Sequence, residues 1–368
     1  MPSTRFLVAR DDLRRVRIAT DDGAPVPLDE GEARLRIDGF ALTSNNITYG
    51  AFGESMHYWD FFPSGPDGWG SIPVWGYAEV SASKVEGVAP GERFYGFLPM
   101  ASEVSLRPVR IGAAGFVDGA AHRRELPAVY NRYTRCRNDA SYRPDTEAET
   151  ALLRPLFVTS FLIDDFLADH AFFGAGTVLL SSASSKTACG CAFFLSQRRA
   201  EAQAPRVVGL TAARNLAYAQ GLGCYDAVLD YAALDTLAPA EPTVYVDMSG
   251  SAPLRRSVHA HFGAQLKYSC SVGGTHWDRL GGAKGLPGPR PVLFFAPAQA
   301  RQRAADWGAA ALEQRIEAAW LAALERVRDP QRPWLEVVRG RGAVEVEAAY
   351  RALLDGTADP RHGRFLSL

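Results

Sequence analysis

The sequence predicts an α/β protein that combines a small β-barrel with an open parallel sheet. Three observations carry this. Short apolar runs punctuated by turn residues fill positions 1–105. Strand-like and helix-like runs alternate through positions 177–272, and the tail beyond position 300 returns to mixed helix and strand. Closely spaced short strands make a barrel, whereas strands alternating with helices make right-handed βαβ units. Ligands of such parallel sheets bind beyond the carboxyl ends of the strands, where the strand order reverses.

In the barrel part, Ala33–Phe40 alternates, with Leu35 and Ile37 apolar against Arg34, Arg36 and Asp38, the pattern of a half-buried strand. Trp75–Val80 and Arg93–Leu98 are further strands, separated by turns at Asp22-Gly23, Pro63–Gly70 and Pro90-Gly91. Residues 107–150 are polar and rich in Arg and aromatics, and read as a long excursion with little core of its own. Asp145 or Thr146 then caps a helix carrying Leu152, Leu156, Phe157 and Leu162, with Pro155 as a kink or a late start.

The parallel part follows with strands Thr177–Leu180, Arg206–Leu210, Ala227–Asp230, Thr243–Asp247 and Gln265–Val272. Helices Lys186–Arg199, Ala212–Leu222 and Leu254–Phe262 lie between them. The tail reads as helix Ala309–Val327, strand Trp334–Arg339, helix Val344–Leu354 and a closing strand Gly363–Leu368. Expected domains are a barrel over 1–150, with the 107–150 excursion, a parallel-sheet domain over 151–300, and a segment 301–368 returning to the first.

A chain of 368 residues, 47% hydrophobic and 22% charged, is long enough for two buried cores and excludes a disordered or fibrous protein. Its 40 basic and 41 acidic residues give a net charge of −1, which excludes a global electrostatic attraction to nucleic acid or an anionic membrane. The basic residues are Arg except for Lys84, Lys186, Lys267 and Lys284. Cys136, Cys189, Cys191, Cys224 and Cys270 are odd in number and scattered, which argues against a disulfide framework, and no C-x2-C pair of zinc type occurs. No signal peptide and no membrane-spanning apolar run is read, so a cytoplasmic protein is expected.

The chemistry concentrates after Leu180, in Ser181-Ser-Ala-Ser-Ser-Lys-Thr-Ala188. A dinucleotide needs a tight strand-to-helix turn and free N–H groups at a helix N-terminus. Small hydroxyl residues here stand in for the usual glycines. Ser182, Ser184, Ser185 and Thr187 can donate to phosphate, and Lys186 adds a positive charge. The G-x-G-x-x-G signature and the first half of a P-loop are both absent, which argues against nucleotide hydrolysis. In the plainer alternative, Ser184 and Ser185 cap a helix.

The second strand ends in Gly209-Leu-Thr-Ala-Ala-Arg-Asn215. An NAD site places an acid here on the ribose hydroxyls, and none is present. Thr211, Arg214 and Asn215 stand where a 2′-phosphate would lie, and a guanidinium fork suits a phosphate, so NADP(H) is the expected cofactor. In the alternative, Arg214 is an ordinary solvated residue. Cys189 and Cys191, inside the Lys186–Arg199 helix after the serine loop, read as small buried hydrophobes.

Taken together, Thr177–Ala188, Val207–Asn215, Leu222–Tyr231 and Val246-Asp-Met-Ser-Gly250 resemble the Rossmann cofactor domain of the medium-chain dehydrogenase/reductase superfamily. Leu35–Tyr49, Val74–Val80 and Gly91–Gly96 are similar to its GroES-like catalytic domain. The zinc enzymes of that superfamily carry Gly-His-Glu where this chain has Gly76-Tyr77-Ala78, and the early catalytic Cys and the four-Cys lobe are missing. The chain thus resembles the zinc-free quinone and enoyl reductases, and no metal is expected.

The resemblance implies hydride transfer from NADPH to an activated alkene or quinone, with stabilisation of an enolate and delivery of a proton. It places Asn45, Asn46 and Tyr49 in the segment that lines the nicotinamide pocket. Tyr49 is then the acid or oxyanion donor, supported by Asn46, with Tyr58 or His57 as competitors. In the alternative, Tyr49 is a core aromatic, and Asn45 and Asn46 hold a turn. Ser249, after the fourth strand, is expected near the nicotinamide ribose, and Val272, at the end of the fifth, towards the nicotinamide end. Tyr58, Tyr130 and His276, with Trp277, are candidate substrate contacts, although a lone loop His is often structural. The implied partners are a small-molecule substrate and a second copy in a homodimer. Two other functions stay open: an NADP-binding sensor or scaffold without catalysis, and a hydrolase or transferase using Ser184, Ser185 and Lys186.

Overall fold

Alternating burial along one strand sets the frame of the amino-terminal part: Ala33, Leu35 and Ile37 are buried while Arg34, Arg36 and Asp38 turn outward. The computed structural model describes residues 3–24, 26–63, 67–202, 204–274 and 284–368. It divides into one unit of Met1–Leu152 with Val337–Leu368, and another of Leu153–Glu336.

The first unit contains β1 (Ser3–Ala9), β2 (Val16–Asp21), β3 (Ala33–Leu42), α1 (Ser44–Ala51), β4 (Trp69–Gly70), β5 (Pro73–Ser83) and β6 (Arg93–Pro99). It continues with β7 (Glu103–Leu106), β8 (Pro108–Gly112), β9 (Gly115–Asp118) and β10 (Arg132–Arg135). Helix α2 (Glu147–Asp169) spans the unit boundary. The second unit holds β11 (Thr177–Leu180), α3 (Lys186–Gln197), β12 (Arg206–Thr211), α4 (Leu216–Gly221), β13 (Ala227–Asp230), β14 (Thr243–Asp247) and α5 (Ala252–Phe262). It ends with β15 (Leu266–Ser271), β16 (Val292–Leu293), α6 (Ala296–Trp307) and α7 (Ala309–Val327). Then β17 (Glu336–Arg341), α8 (Ala343–Leu354) and β18 (His362–Ser367) complete the chain.

The main sheet of the first unit runs β17-β18-β3-β5-β6-β10-β9-β8, with β7 also on β3. β3 and β5 approach so closely that a Cβ on Gly76 would lie 2.4 Å from the Gly39 oxygen, so glycine is required there. A smaller sheet, β2-β1-β4, joins it through residues 100–102. The Phe6 N–H donates to Met100 O (2.8 Å), Ser102 N–H to Thr4 O (2.9 Å) and Ile37 N–H to Ser102 O (2.8 Å). These bonds curl the strands toward the expected GroES-like barrel.

Residues 107–150 differ from the expected coreless excursion. β8, β9 and β10 extend the main sheet, and Phe116 and Tyr133 are buried with their rings stacked 5.0 Å apart. Two of the arginines misled because they are buried as ion pairs. Arg123, 1% exposed, pairs with Asp118 at 3.1 Å, and Arg135 pairs with Glu92. A buried guanidinium is tolerated when paired and hydrogen-bonded.

In the second unit the parallel order is β13-β12-β11-β14-β15-β16, a Rossmann sheet whose order reverses between β11 and β14. Its core includes Leu179, Val208, Leu210, Tyr245, Val258 and Phe262. Pro155 lies inside α2, which starts at Glu147, so it is not a late helix start. The return to the first unit begins at Val337 rather than at position 301. α6 and α7 stay with the second unit, where Arg303 Nε donates to Asp165 (2.6 Å) and the Trp320 ring meets Phe157 edge-on at 6.2 Å. Among the described residues, no helix is long and apolar enough to cross a membrane.

Candidate functional site

The carboxyl ends of β11 and β14, where the sheet order reverses, are bound together by one buried carboxylate. Asp247 Oδ1 accepts from Ser181 Oγ (2.9 Å), Ser249 Oγ (2.7 Å) and the N–H groups of Ser249 and Gly250 (both 3.0 Å). Its Oδ2 accepts from Arg255 Nε (2.9 Å) and pairs with Nη2 (2.8 Å). Ser181 Oγ also accepts from the N–H groups of Met248 (3.0 Å) and Ser249 (3.1 Å). The Ser249 side chain is thereby engaged within the fold. Val272, just past β15, joins the same corner by donating its N–H to Asp247 O (2.9 Å).

Beyond Ser181 the serine loop bends toward β12. Ser182 takes a left-handed φ of 50°, a conformation that costs a non-glycine residue energy, and its hydroxyl lies 3.3 Å from that of Tyr231. Ala183 N–H donates to Leu210 O (2.9 Å), and Tyr225 O–H donates to Ala183 O (2.8 Å). Gly209 permits this contact, because a Cβ there would lie 2.7 Å from the Ala183 Cβ. Gly209→Val is expected to destabilise the protein by about 1–3 kcal/mol through overpacking. An unchanged thermal midpoint would show that the loop does not rest on β12.

The loop brings together three residues singled out in the sequence. Ser184 Oγ lies 3.1 Å from Thr211 Oγ1 and accepts from Asn215 Nδ2 at 3.0 Å. Arg214 stands beside them, exposed. Ser185 caps α3 by accepting from Ala188 N–H (3.3 Å), and Lys186 and Thr187 form the first turn. First-turn N–H groups lack intrahelical acceptors and carry the positive end of the helix dipole.

In the first unit the predicted residues separate into two roles. Asn46 is buried, and its amide is used in building α1: Oδ1 accepts from Thr43 N–H (2.8 Å) and Nδ2 donates to Pro73 O (2.9 Å). Tyr49, one turn later, enters an aromatic box. Its ring stacks on Tyr58 at 4.2 Å, and Tyr130 stacks on Phe97 at 4.6 Å, with Trp75 5.1 Å from Phe97. The hydroxyls of Tyr58 and Tyr130 are 3.5 Å apart. Burial raises the pKa of all three phenols, so each is a neutral donor. His57 is exposed and bonded to Asp60 (3.0 Å), apart from this box.

The family model described as a protein of unknown function (DUF2855) matches residues 40–359. The chain belongs to that family. No curated protein matches it. Among solved structures, CurA from Vibrio vulnificus in complex with NADPH aligns with a TM-score of 0.60 at 14% identity, covering 99% of this chain and 98% of that one. The yhdH oxidoreductase from Salmonella enterica in complex with NADP aligns at 0.53 and 12% identity, covering 100% and 99%. A mutant form of the enoyl thioester reductase from Candida tropicalis aligns at 0.53 and 9% identity over 100% of both chains. The two-domain GroES-like and Rossmann fold is therefore shared with these proteins, as the sequence resemblance implied.

Tyr77 is the residue that the sequence resemblance sets against the zinc enzymes' histidine. It is buried, with Tyr95 at 5.1 Å, Tyr142 at 6.1 Å and the Arg93 guanidinium 5.5 Å from its ring. Among the described residues, no group of three or more His, Cys, Asp or Glu side chains converges. All five cysteines are buried, and burial pushes the Cys189 thiol up to about 12. His276 and Trp277 lie outside the described residues. The Asp247 cluster escaped the sequence reading because Ser181 and Asp247 stand 66 positions apart.

Proposed function

We propose that the chain is an NADPH-dependent oxidoreductase acting on an activated carbon–carbon double bond or a quinone. The observation that carries this is the end of β12: Ser184, Thr211 and Asn215 gather there with Arg214 adjacent, and positions 211–215 contain no carboxylate. Hydroxyls, an amide and a guanidinium are the donor set that fits a 2′-phosphate, whereas a ribose diol calls for an acid. Structures of CurA with NADPH and of the yhdH oxidoreductase with NADP, which share the fold, support the reading.

When bound, the cofactor supplies a hydride. Ser182, Ser184, Ser185, Lys186 and Thr187, at the α3 N-terminus, would hold its pyrophosphate. Thr211, Arg214 and Asn215 would select the 2′-phosphate, and the Ser249 and Val272 corner would flank the nicotinamide ribose. In the first unit, the aromatic box offers ring faces to a flat conjugated substrate and neutral phenols, Tyr49, Tyr58 and Tyr130, as proton donors to an enolate. A soluble homodimer acting on a small molecule in the cytoplasm is part of the proposal.

The test is a titration of the protein with NADPH and NADH, followed by a turnover screen on enones, enoyl thioesters and quinones. The expected result is micromolar NADPH binding, much weaker NADH binding and oxidation of NADPH by at least one substrate class. Tight NADPH binding without turnover favours a sensor or scaffold, a reading supported by the mutual bonding of the Ser184 and Asn215 side chains. Binding of neither cofactor overturns the proposal.

A further inference from the structure

A cavity of about 630 Å³ lies within the first unit, walled by β1, β2, β3 and β7, by Phe61–Pro63 and by residues 118–123. That is the size of a small-molecule site. It is distinct from the aromatic box, since Tyr49, Tyr58 and Tyr130 are not among the described residues that line it. Phe61 lines the cavity and also meets Tyr130 edge-on at 5.3 Å, so one ring borders both.

Four arginines and four carboxylates line the cavity, so its chemistry depends on which of them the fold already uses. Asp118 is fully engaged. Its Oδ1 accepts from the N–H groups of Arg107 (3.0 Å) and Ala120 (3.2 Å), and its Oδ2 pairs with Arg123 Nε (3.1 Å). Glu32 pairs with Arg107 (2.9 Å) and accepts from the Asp29 N–H (3.0 Å), and Asp21 accepts from the Gly23 N–H (3.0 Å). Arg34 differs. It donates Nη2 to the Val26 carbonyl and, among the described residues, has no carboxylate partner. Glu103, half-buried on β7, has no ion-pair partner among the described residues. Arg123 is 1% exposed, with Nε on Phe61 O (3.1 Å), Nη1 on the Tyr133 hydroxyl (3.2 Å) and its face 4.4 Å from the Phe62 ring. Its Nη2 is buried and has no hydrogen-bond partner among the described residues. A buried donor left unpaired is costly, and native folds rarely keep one without an ion, a water or a ligand to fill it.

We propose that this cavity binds a small organic acid with an apolar body and a second polar group, an ammonium or a hydroxyl, beside the carboxylate. The carboxylate takes Arg34 and the open Nη2 of Arg123, because guanidinium donors match carboxylate oxygens in geometry and charge. The second group donates to Glu103, the lining carboxylate that the fold leaves without a counter-charge. The apolar body lies on Phe62 and Val104, which line the same cavity. An amino acid and a 2-hydroxy acid share this chemistry. Binding is non-covalent and needs neither the cofactor nor the substrate of the proposed reaction, so this site and the reductase reading are tested separately.

The experiment is isothermal titration of the full chain with phenylalanine, phenyllactate, phenylpropionate and phenylethylamine. Phenylalanine or phenyllactate is expected to bind about tenfold or more tighter than phenylpropionate, which lacks the second polar group. Phenylethylamine, which lacks the acid, should show no binding. The tighter of the first two identifies the second group as ammonium or hydroxyl. Arg34→Gln should weaken that ligand about tenfold or more, and Glu103→Gln should remove its advantage over phenylpropionate. The thermal midpoint of each variant is measured alongside, and the four compounds on the unaltered chain decide the matter if a variant does not fold. No binding of any acid at about 10 mM, equal binding of the amine and the acids, or unchanged affinity in Arg34→Gln overturns the site. Phenylpropionate binding as tightly as the other two acids overturns the role of Glu103.

Discussion

Asp247→Ala is expected to destabilise the second unit by about 3–5 kcal/mol, the usual cost of removing one partner from a buried ion pair. The carboxylate is fully buried and Arg255 is 8% exposed, so the variant removes a buried charge that the guanidinium pairs with. The N–H groups of Ser249 and Gly250 would lose an acceptor at the same time. For a unit of this size the change lowers the thermal midpoint by roughly 10 °C. An Asp247→Ala/Arg255→Met double variant should recover part of the loss, because both members of the buried pair are then removed together. Differential scanning calorimetry measures both, and a midpoint shift of under about 2 °C in the single variant would show that the cluster does not hold β11 and β14 together.

Arg214→Ala is expected to weaken NADPH binding about 30-fold, the loss of roughly 2 kcal/mol from charge-assisted hydrogen bonds to phosphate. NADH affinity should stay within about twofold, since it carries no 2′-phosphate for the guanidinium to meet. Arg214→Lys should restore part of the loss by charge without the planar fork. Isothermal titration with both cofactors gives the ratio directly. Equal weakening of both would place Arg214 away from the 2′-phosphate and remove the main argument for cofactor choice.

Both predictions concern the end of the parallel sheet, but they were not equally legible in the sequence. Arg214 was visible, because the strand–loop–helix order from Thr177 to Asn215 is local and its hydroxyl-for-glycine pattern lies within one stretch. Asp247 was visible only as the end of a strand. Its role depends on Ser181, which pairing of β11 with β14 brings to its side. The Arg-rich segment 107–150 misled for a related reason. A sequence shows the charge on Arg123 and Arg135 but not the carboxylates of Asp118 and Glu92 that let them be buried. Asn46 follows the alternative in which it holds a turn. An amide read as a nicotinamide contact has both ends committed to the start of α1 and to Pro73.

The sequence by itself determined the fold class and the identity of the strands at Thr177–Leu180, Ala227–Asp230 and Thr243–Asp247, because apolar periodicity and turn residues act over a few neighbouring positions. It also singled out Thr211, Arg214 and Asn215 at the end of β12, which lie within one short stretch. Only the tertiary structure decided which of the phenols share an environment. Tyr49, Tyr58 and Tyr130 come from a helix, a short 3-10 turn and the inserted segment, and their meeting depends on burial against Trp75 and Phe97. Such long-range packing is set by how sheets close and side chains fill space, a property of the whole unit that no local pattern encodes.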